Sequence, residues 1–274
     1  MRNLNKKVRI CISEPLLYKP EHLSQYKVVD LYQLKFTNFK IYRLMFANTS
    51  LKQQGKIAGW LYLIIALLGI FSIAYVPSVI VSTKATETLQ NLQNHSGLFR
   101  IGVFADVLIC LIEIVLSTLL YQMFRNVNKT AALIATYARI AMVMVMAVNL
   151  LVYITPLFLI ENPALSKLFT TAELARNTQL AMDIHANGII IWGFFFGLHL
   201  TLLSLLAIKS PKHPTIISYI MLAGSIGYSL ESFNQACLGN NAILGIISGV
   251  LLAAVVIGEV GFAVWLMIYG EKDV

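Results

Sequence analysis

The sequence predicts an all-α fold, a polytopic integral membrane bundle of six transmembrane helices, and three observations predict it. Of 274 residues, 58 % are hydrophobic and only 12 % are charged, against roughly 25 % charged in an ordinary soluble domain. Apolar runs of about 20 residues, the length that crosses a hydrocarbon core, recur along the chain. The clearest is Ile189 to Ile208, IIIWGFFFGLHLTLLSLLAI. Finally, a few ionisable side chains, such as His199 in that run, lie inside the apolar segments, where each costs free energy unless another span partners it.

The amino-terminal segment, residues 1–56, reads as basic and cytoplasmic. It holds eleven Lys/Arg and three Asp/Glu, whereas residues 57–274 hold ten of each, so the whole net charge of +8 sits there. A basic flank on a multi-span chain resists translocation and attracts anionic headgroups. Lipid bilayer, not nucleic acid, is therefore the expected partner. Aromatics are scattered through this segment without a helical or alternating period, and Phe36, Phe39, Arg43 and Phe46 offer only a weak interfacial helix. Residues 1–44 show no signal-peptide pattern, and Met45 reads as an alternative start, a short polar leader running into the first span.

The six-span domain is expected over 57–270. Span one is placed at about 57–82, with Trp60 and Tyr62 as an interface belt near one end and Pro77 kinking the other. Span two, about 101–124, carries Asp106 and Glu113. Span three, about 130–158, carries Arg139 and Asn149. A polar stretch from Ser166 to Asp183, with leucines at 168, 174 and 180, reads as a short surface helix. Span four follows at about 186–208. Span five, about 214–233, ends near Glu231, and span six, about 242–269, contains Glu259. Loop lysines and arginines favour both termini on the cytoplasmic side. Two small-xxx-small stretches, Gly193/Gly197 and Gly245/Gly249, would let helices approach closely, within one bundle or between copies of a homo-oligomer.

At about 1.5 Å of rise per residue, Glu113 lies roughly 16 Å from the cytoplasmic end, Arg139 roughly 13 Å, His199 roughly 14 Å and Glu259 roughly 15 Å. Four ionisable side chains from four helices thus share one depth, and in mutual contact they can neutralise and hydrogen-bond one another. An outer polar layer is expected from Asp106, Asn149, His185, Asn187 and Glu231. Asp106 and Glu113, two turns apart, share a face of span two and join the layers. Three functions compete: a small-solute or proton/cation-linked transporter using the buried carboxylates, His199 and Arg139; a non-catalytic structural or sensory protein with a fixed ion-pair network; and an intramembrane metal-dependent hydrolase. The last lacks support, since HExxH, GxSxG and any closely spaced His pair are absent from the sequence. Cys11, Cys110 and Cys237 form no CxxC pair and read as inert, and neither a cofactor nor a metal is called for.

Six stretches occur in order: GWLYL, FRIGVFADVL, LLYQMFRNVNKTAALIATYAR, HANGIIIWGFFFGLH, YSLESF and GEVGFAVWL. Together they resemble the bacterial multi-span membrane family designated domain of unknown function 4386, over about residues 53–270. The family pattern maps onto Arg100, Asp106, Asn128, Lys129, Arg139, His185, His199 and Glu259. The chain departs from it in the basic segment before Met45 and at Ile190, where a more polar residue is expected. The resemblance implies a bacterial plasma (inner) membrane protein and supplies no activity.

Overall fold

A computed structural model describes residues 49–211 and 213–270, and every regular element among them is helical. Helix α1 is Leu51–Gly69, followed by a π-helical stretch Ile70–Tyr75 and a short α2, Val76–Ile80; together they form the first span. After α3 (Ala85–Asn94) come α4 (Ser96–Phe124), α5 (Lys129–Glu161), a single turn α6 (Pro163–Ser166), α7 (Thr171–Lys209), α8 (Thr215–Cys237) and α9 (Ala242–Tyr269). The first span, α4, α5, α7, α8 and α9 are each long and apolar enough to cross a membrane. The chain is a multi-pass membrane protein with an all-α bundle. The basic segment 1–48, the alternative start at Met45, the weak interfacial helix and Cys11 lie outside the described residues.

Local chemistry explains where the helices start. Ser50 and Gln53 make a reciprocal capping box for α1, Asn128 caps α5, and Asn241 caps α9. Each side chain satisfies backbone N–H groups that the first turn leaves without partners. The π turn precedes Pro77, which has no N–H to offer and whose ring crowds the carbonyl four residues back; a widened turn relieves that conflict. The expected kink therefore takes the form of a π segment.

Two differences from the expected layout share one cause. The stretch 166–183 is not a separate surface helix: from Thr171 onward it is the first part of α7, which runs 39 residues without a break. That is about 58 Å at 1.5 Å per residue, so α7 stands well beyond a hydrocarbon core of roughly 30 Å. Thr170 and Glu173 form the capping box that starts it. Its buried face is Ala175, Thr178, Ala181 and Met182, while Leu168 and Leu180 are exposed. That face packs on α3, a helix the sequence did not suggest, and Thr88 donates a hydrogen bond to the Gln179 side chain at 2.8 Å. The two helices cap the end of the bundle opposite Leu51 and Tyr269, called distal here; the other end is basal.

The spans pack in a closed ring. Each packs on its neighbours in sequence, and α9 returns onto α1. Distally, Val76, Ile80, Leu92, Phe99, Val103, Leu150, Tyr153, Leu157 and Met182 form one apolar cluster. Gly193 and Gly197 sit against Ser232 and Ser229 of α8 with no space for a Cβ, so this motif serves packing inside the bundle and is not free to join two copies. Gly249, by contrast, faces open space. Large side chains such as Ile243, Ile246, Val250 and Ile257 point outward, as a lipid-facing surface requires.

Candidate functional site

The ring has a polar centre, and Arg139 occupies its middle. On α5 it follows Ala132, Ala135 and Ala138, small residues that bring the helix close to its neighbours. Its side chain is 1 % exposed. The guanidinium donates through Nε to Glu113 of α4, and the two form a buried ion pair. Through Nη1 it donates to the Tyr62 hydroxyl at 2.9 Å and lies 2.7 Å from Nε2 of His199. Arginine only donates, so Nε2 accepts; Nδ1 then carries the proton and donates to the Ala135 carbonyl at 2.8 Å. His199 is thereby held as one neutral tautomer with both nitrogens engaged. A metal at this layer would have to displace Arg139 to use it.

Aromatic rings enclose the pair. The guanidinium carbon lies 5.0 Å from the Tyr62 ring centroid and 5.9 Å from that of Phe196, within reach of cation–π attraction. Phe196 stacks on Trp192 and meets Tyr228 of α8 edge-on at 4.8 Å. Glu259 of α9 interacts electrostatically with Arg139 and Glu113, and with Tyr62 and Tyr228. It makes no ion pair with Arg139, whose carboxylate partner is Glu113. The structure therefore brings Glu113, Arg139 and His199 into direct contact, with Glu259 beside them.

Tyr62 and Tyr228 escaped the sequence reading. The first was assigned to an interface belt beside Trp60; Trp60 does face outward, but Tyr62 is 6 % exposed at the bundle centre. A readable signal existed, because Gly55, Ala58, Gly59 and Tyr62 are buried at helical spacing, small residues marking the face turned inward. Tyr62→Phe keeps the ring and removes the acceptor of a charged N–H. It is expected to lower stability by about 1–3 kcal/mol, read as a lower melting temperature of the detergent-purified protein.

Of the expected outer layer, Asp106, Asn149 and His185 gather in the distal half. Asp106 is 2 % exposed. Asn149 donates to the His185 carbonyl at 2.8 Å, and the His185 ring stacks on Tyr153 at 3.9 Å. The other two members are elsewhere. Asn187 is exposed and donates to the Asp183 carbonyl of its own helix; two positions from His185 on a helix, it points away from that face. Glu231 lies between α8 and α9, accepting from Ser248 and Gln235. At the distal rim Arg100 pairs with Glu161, both half exposed. Lys84 pairs with Glu87 at 2.8 Å, and that ammonium, with the Ser82 hydroxyl, holds the Glu87 carboxyl below the usual range. Exposed pairs of this kind contribute little stability.

Toward the basal end a narrow cleft between α4, α5 and α7 reaches His199, lined by polar Ser117, Tyr121 and Thr136 among apolar neighbours. Cys110 lies on α4 between Asp106 and Glu113 and feels both charges. The distal cluster, the central layer and the basal cleft thus follow one another along the bundle. Cys110 is buried and Cys237 exposed, both as free thiols.

A family model described as "Domain of unknown function (DUF4386)" matches residues 57–270. No curated protein and no solved structure matches the chain.

Proposed function

The chain belongs to this family, whose description assigns no activity, and from that premise we propose that it is a proton-linked transporter of a small solute in which the Glu259 carboxyl carries the proton. One observation carries this reading. The central layer holds two carboxyls and one guanidinium, and Arg139 is committed to Glu113. Among the described residues Glu259 is left beside that pair with no ion-pair partner of its own, and an intramembrane carboxyl in that position either binds a proton or holds a mobile cation. The basal cleft ends at His199, on the side of Arg139 formed by α4, α5 and α7, and Glu259 does not line it. Arg139, Glu113, His199 and Tyr62 serve as the fixed frame that sets the field at Glu259.

In this reading the basal end faces the cytoplasm of a bacterium and both termini lie there. Lys52, Lys56, Arg125, Lys129 and Lys209 flank that end, against Lys84, Arg100, Lys167 and Arg176 at the distal end, and the larger number of cations supports this orientation.

A second reading, a structural or sensory protein built on a static network, draws support from the full engagement of Arg139 and His199. Proteoliposomes with an internal pH dye and potassium clamped by valinomycin separate the two. The parent is expected to dissipate an imposed pH gradient several-fold faster than Glu259→Gln, with Glu231→Gln resembling the parent. A parent no faster than empty liposomes, with amino acids, sugars and organic cations offered in turn on one side, removes the transporter. A Glu259→Gln protein that conducts normally but melts lower favours the static network.

A further inference from the structure

The distal cluster contains a second buried carboxylate, and its surroundings are incomplete in a particular way. Among the described residues Asp106 Oδ1 and the Tyr153 hydroxyl are buried without a hydrogen-bond partner, and so is Nδ1 of the half-buried His185. Buried polar atoms in folded proteins are satisfied in the great majority of cases, so orphans gathered in one place call for an explanation. They do belong to one place. Tyr153 stacks on His185 at 3.9 Å, Asp106 and Tyr153 interact electrostatically, and the Ser72 hydroxyl lies beside the Asp106 carboxyl.

The backbone here is also unusual. Ser72 lies within the π stretch Ile70–Tyr75 and is 2 % exposed, and its hydroxyl reaches both the Leu68 carbonyl, at 3.0 Å, and the Asp106 carboxyl, which share its one hydrogen. Its oxygen lone pairs remain for an electrophile. Widened turns of this type recur at functional sites. No arginine, lysine or histidine nitrogen among the described residues forms an ion pair with Asp106.

We propose that Asp106, Ser72 and Tyr153 bind a small monovalent cation of the sodium type, with His185 Nδ1 accepting a hydrogen bond from water in its shell. The argument is one of charge and ligand type. The cluster has one negative charge to neutralise, which selects a monocation. Its free groups next to that charge are oxygens from three spans, the ligands that hard cations take. A buried water could partner the Tyr153 hydroxyl and His185 Nδ1 but brings no charge to Asp106; a hydrated cation supplies both. The site is separate from Glu259 and does not depend on proton transport.

The test uses the purified full chain in detergent, with melting followed in sodium chloride and in N-methylglucamine chloride at equal ionic strength. The parent and Glu259→Gln are expected to melt several degrees higher in sodium, with a saturating concentration dependence. Tyr153→Phe should need several-fold more sodium, and Asp106→Asn should not respond. A parent with the same melting temperature in both salts overturns the site, as does an Asp106→Asn protein that keeps the sodium response. Should Asp106→Asn fail to fold, equilibrium binding of radioactive sodium to the parent decides: saturable binding weakened in Tyr153→Phe supports the site, and no saturable binding overturns it.

Discussion

Arg139→Met is expected to destabilise the bundle by about 3–5 kcal/mol, the range found when one member of a buried ion pair is removed. The substitution leaves Glu113 charged and 5 % exposed with no cation beside it. It also strips the Tyr62 hydroxyl and His199 Nε2 of their donor. Methionine fills much of the arginine stem's volume, so the loss comes from charge and hydrogen bonding more than from a cavity. The double variant Arg139→Met/Glu113→Gln should recover a substantial part, because the orphaned charge is gone. Melting temperatures of the four proteins of this cycle, in one detergent, measure the coupling. If the double variant is as unstable as the sum of the singles, the two side chains act independently and the layer is not an ion-pair network.

The same residues show what was legible beforehand. Glu113, Arg139 and His199 were found by cost alone, since an ionisable group in a span is either partnered or expensive. Helical rise then put them at one depth. Tyrosine carries a weaker signal: its ring is apolar and its hydroxyl tolerates an interface, so Tyr62 and Tyr228 gave no alarm although both belong to the centre. Asn187 was grouped by depth without regard to azimuth, and depth does not distinguish opposite faces of a helix. The long α7 was readable in part, because Thr170-Thr-Ala-Glu, a capping-box pattern, is followed by small residues at helical spacing; its packing on α3 was not, since that partner comes from a distant, weakly patterned stretch. The π turn needed three-dimensional information, as Pro77 acts on a carbonyl a full turn earlier. The closed order of the ring was out of reach altogether, because apolar runs specify that spans exist and not which of them touch.

Ring closure rests on the seam between the first and last spans, and Gly59 is where it is tightest. A Cβ there would fall on the backbone amide of Met267 and the carbonyl of Ala263. Neither can move as a flexible side chain would, so even alanine must push α1 and α9 apart. Gly59→Ala is expected to cost about 1–3 kcal/mol or more, the range for forcing extra volume into a packed interface, although alanine favours the helix by up to about 1 kcal/mol. Across that seam Tyr62 meets Phe262 edge-on at 6.2 Å, so separation should also disturb the acceptor of Arg139. Gly249→Ala supplies the contrast: nothing lies within reach of a Cβ there, leaving only the propensity gain. Melting of the two variants beside the parent checks this. A Gly59→Ala protein as stable as Gly249→Ala would mean that the first and last spans do not meet at that seam, and the bundle would then be an open arc in which Glu259 no longer faces Arg139.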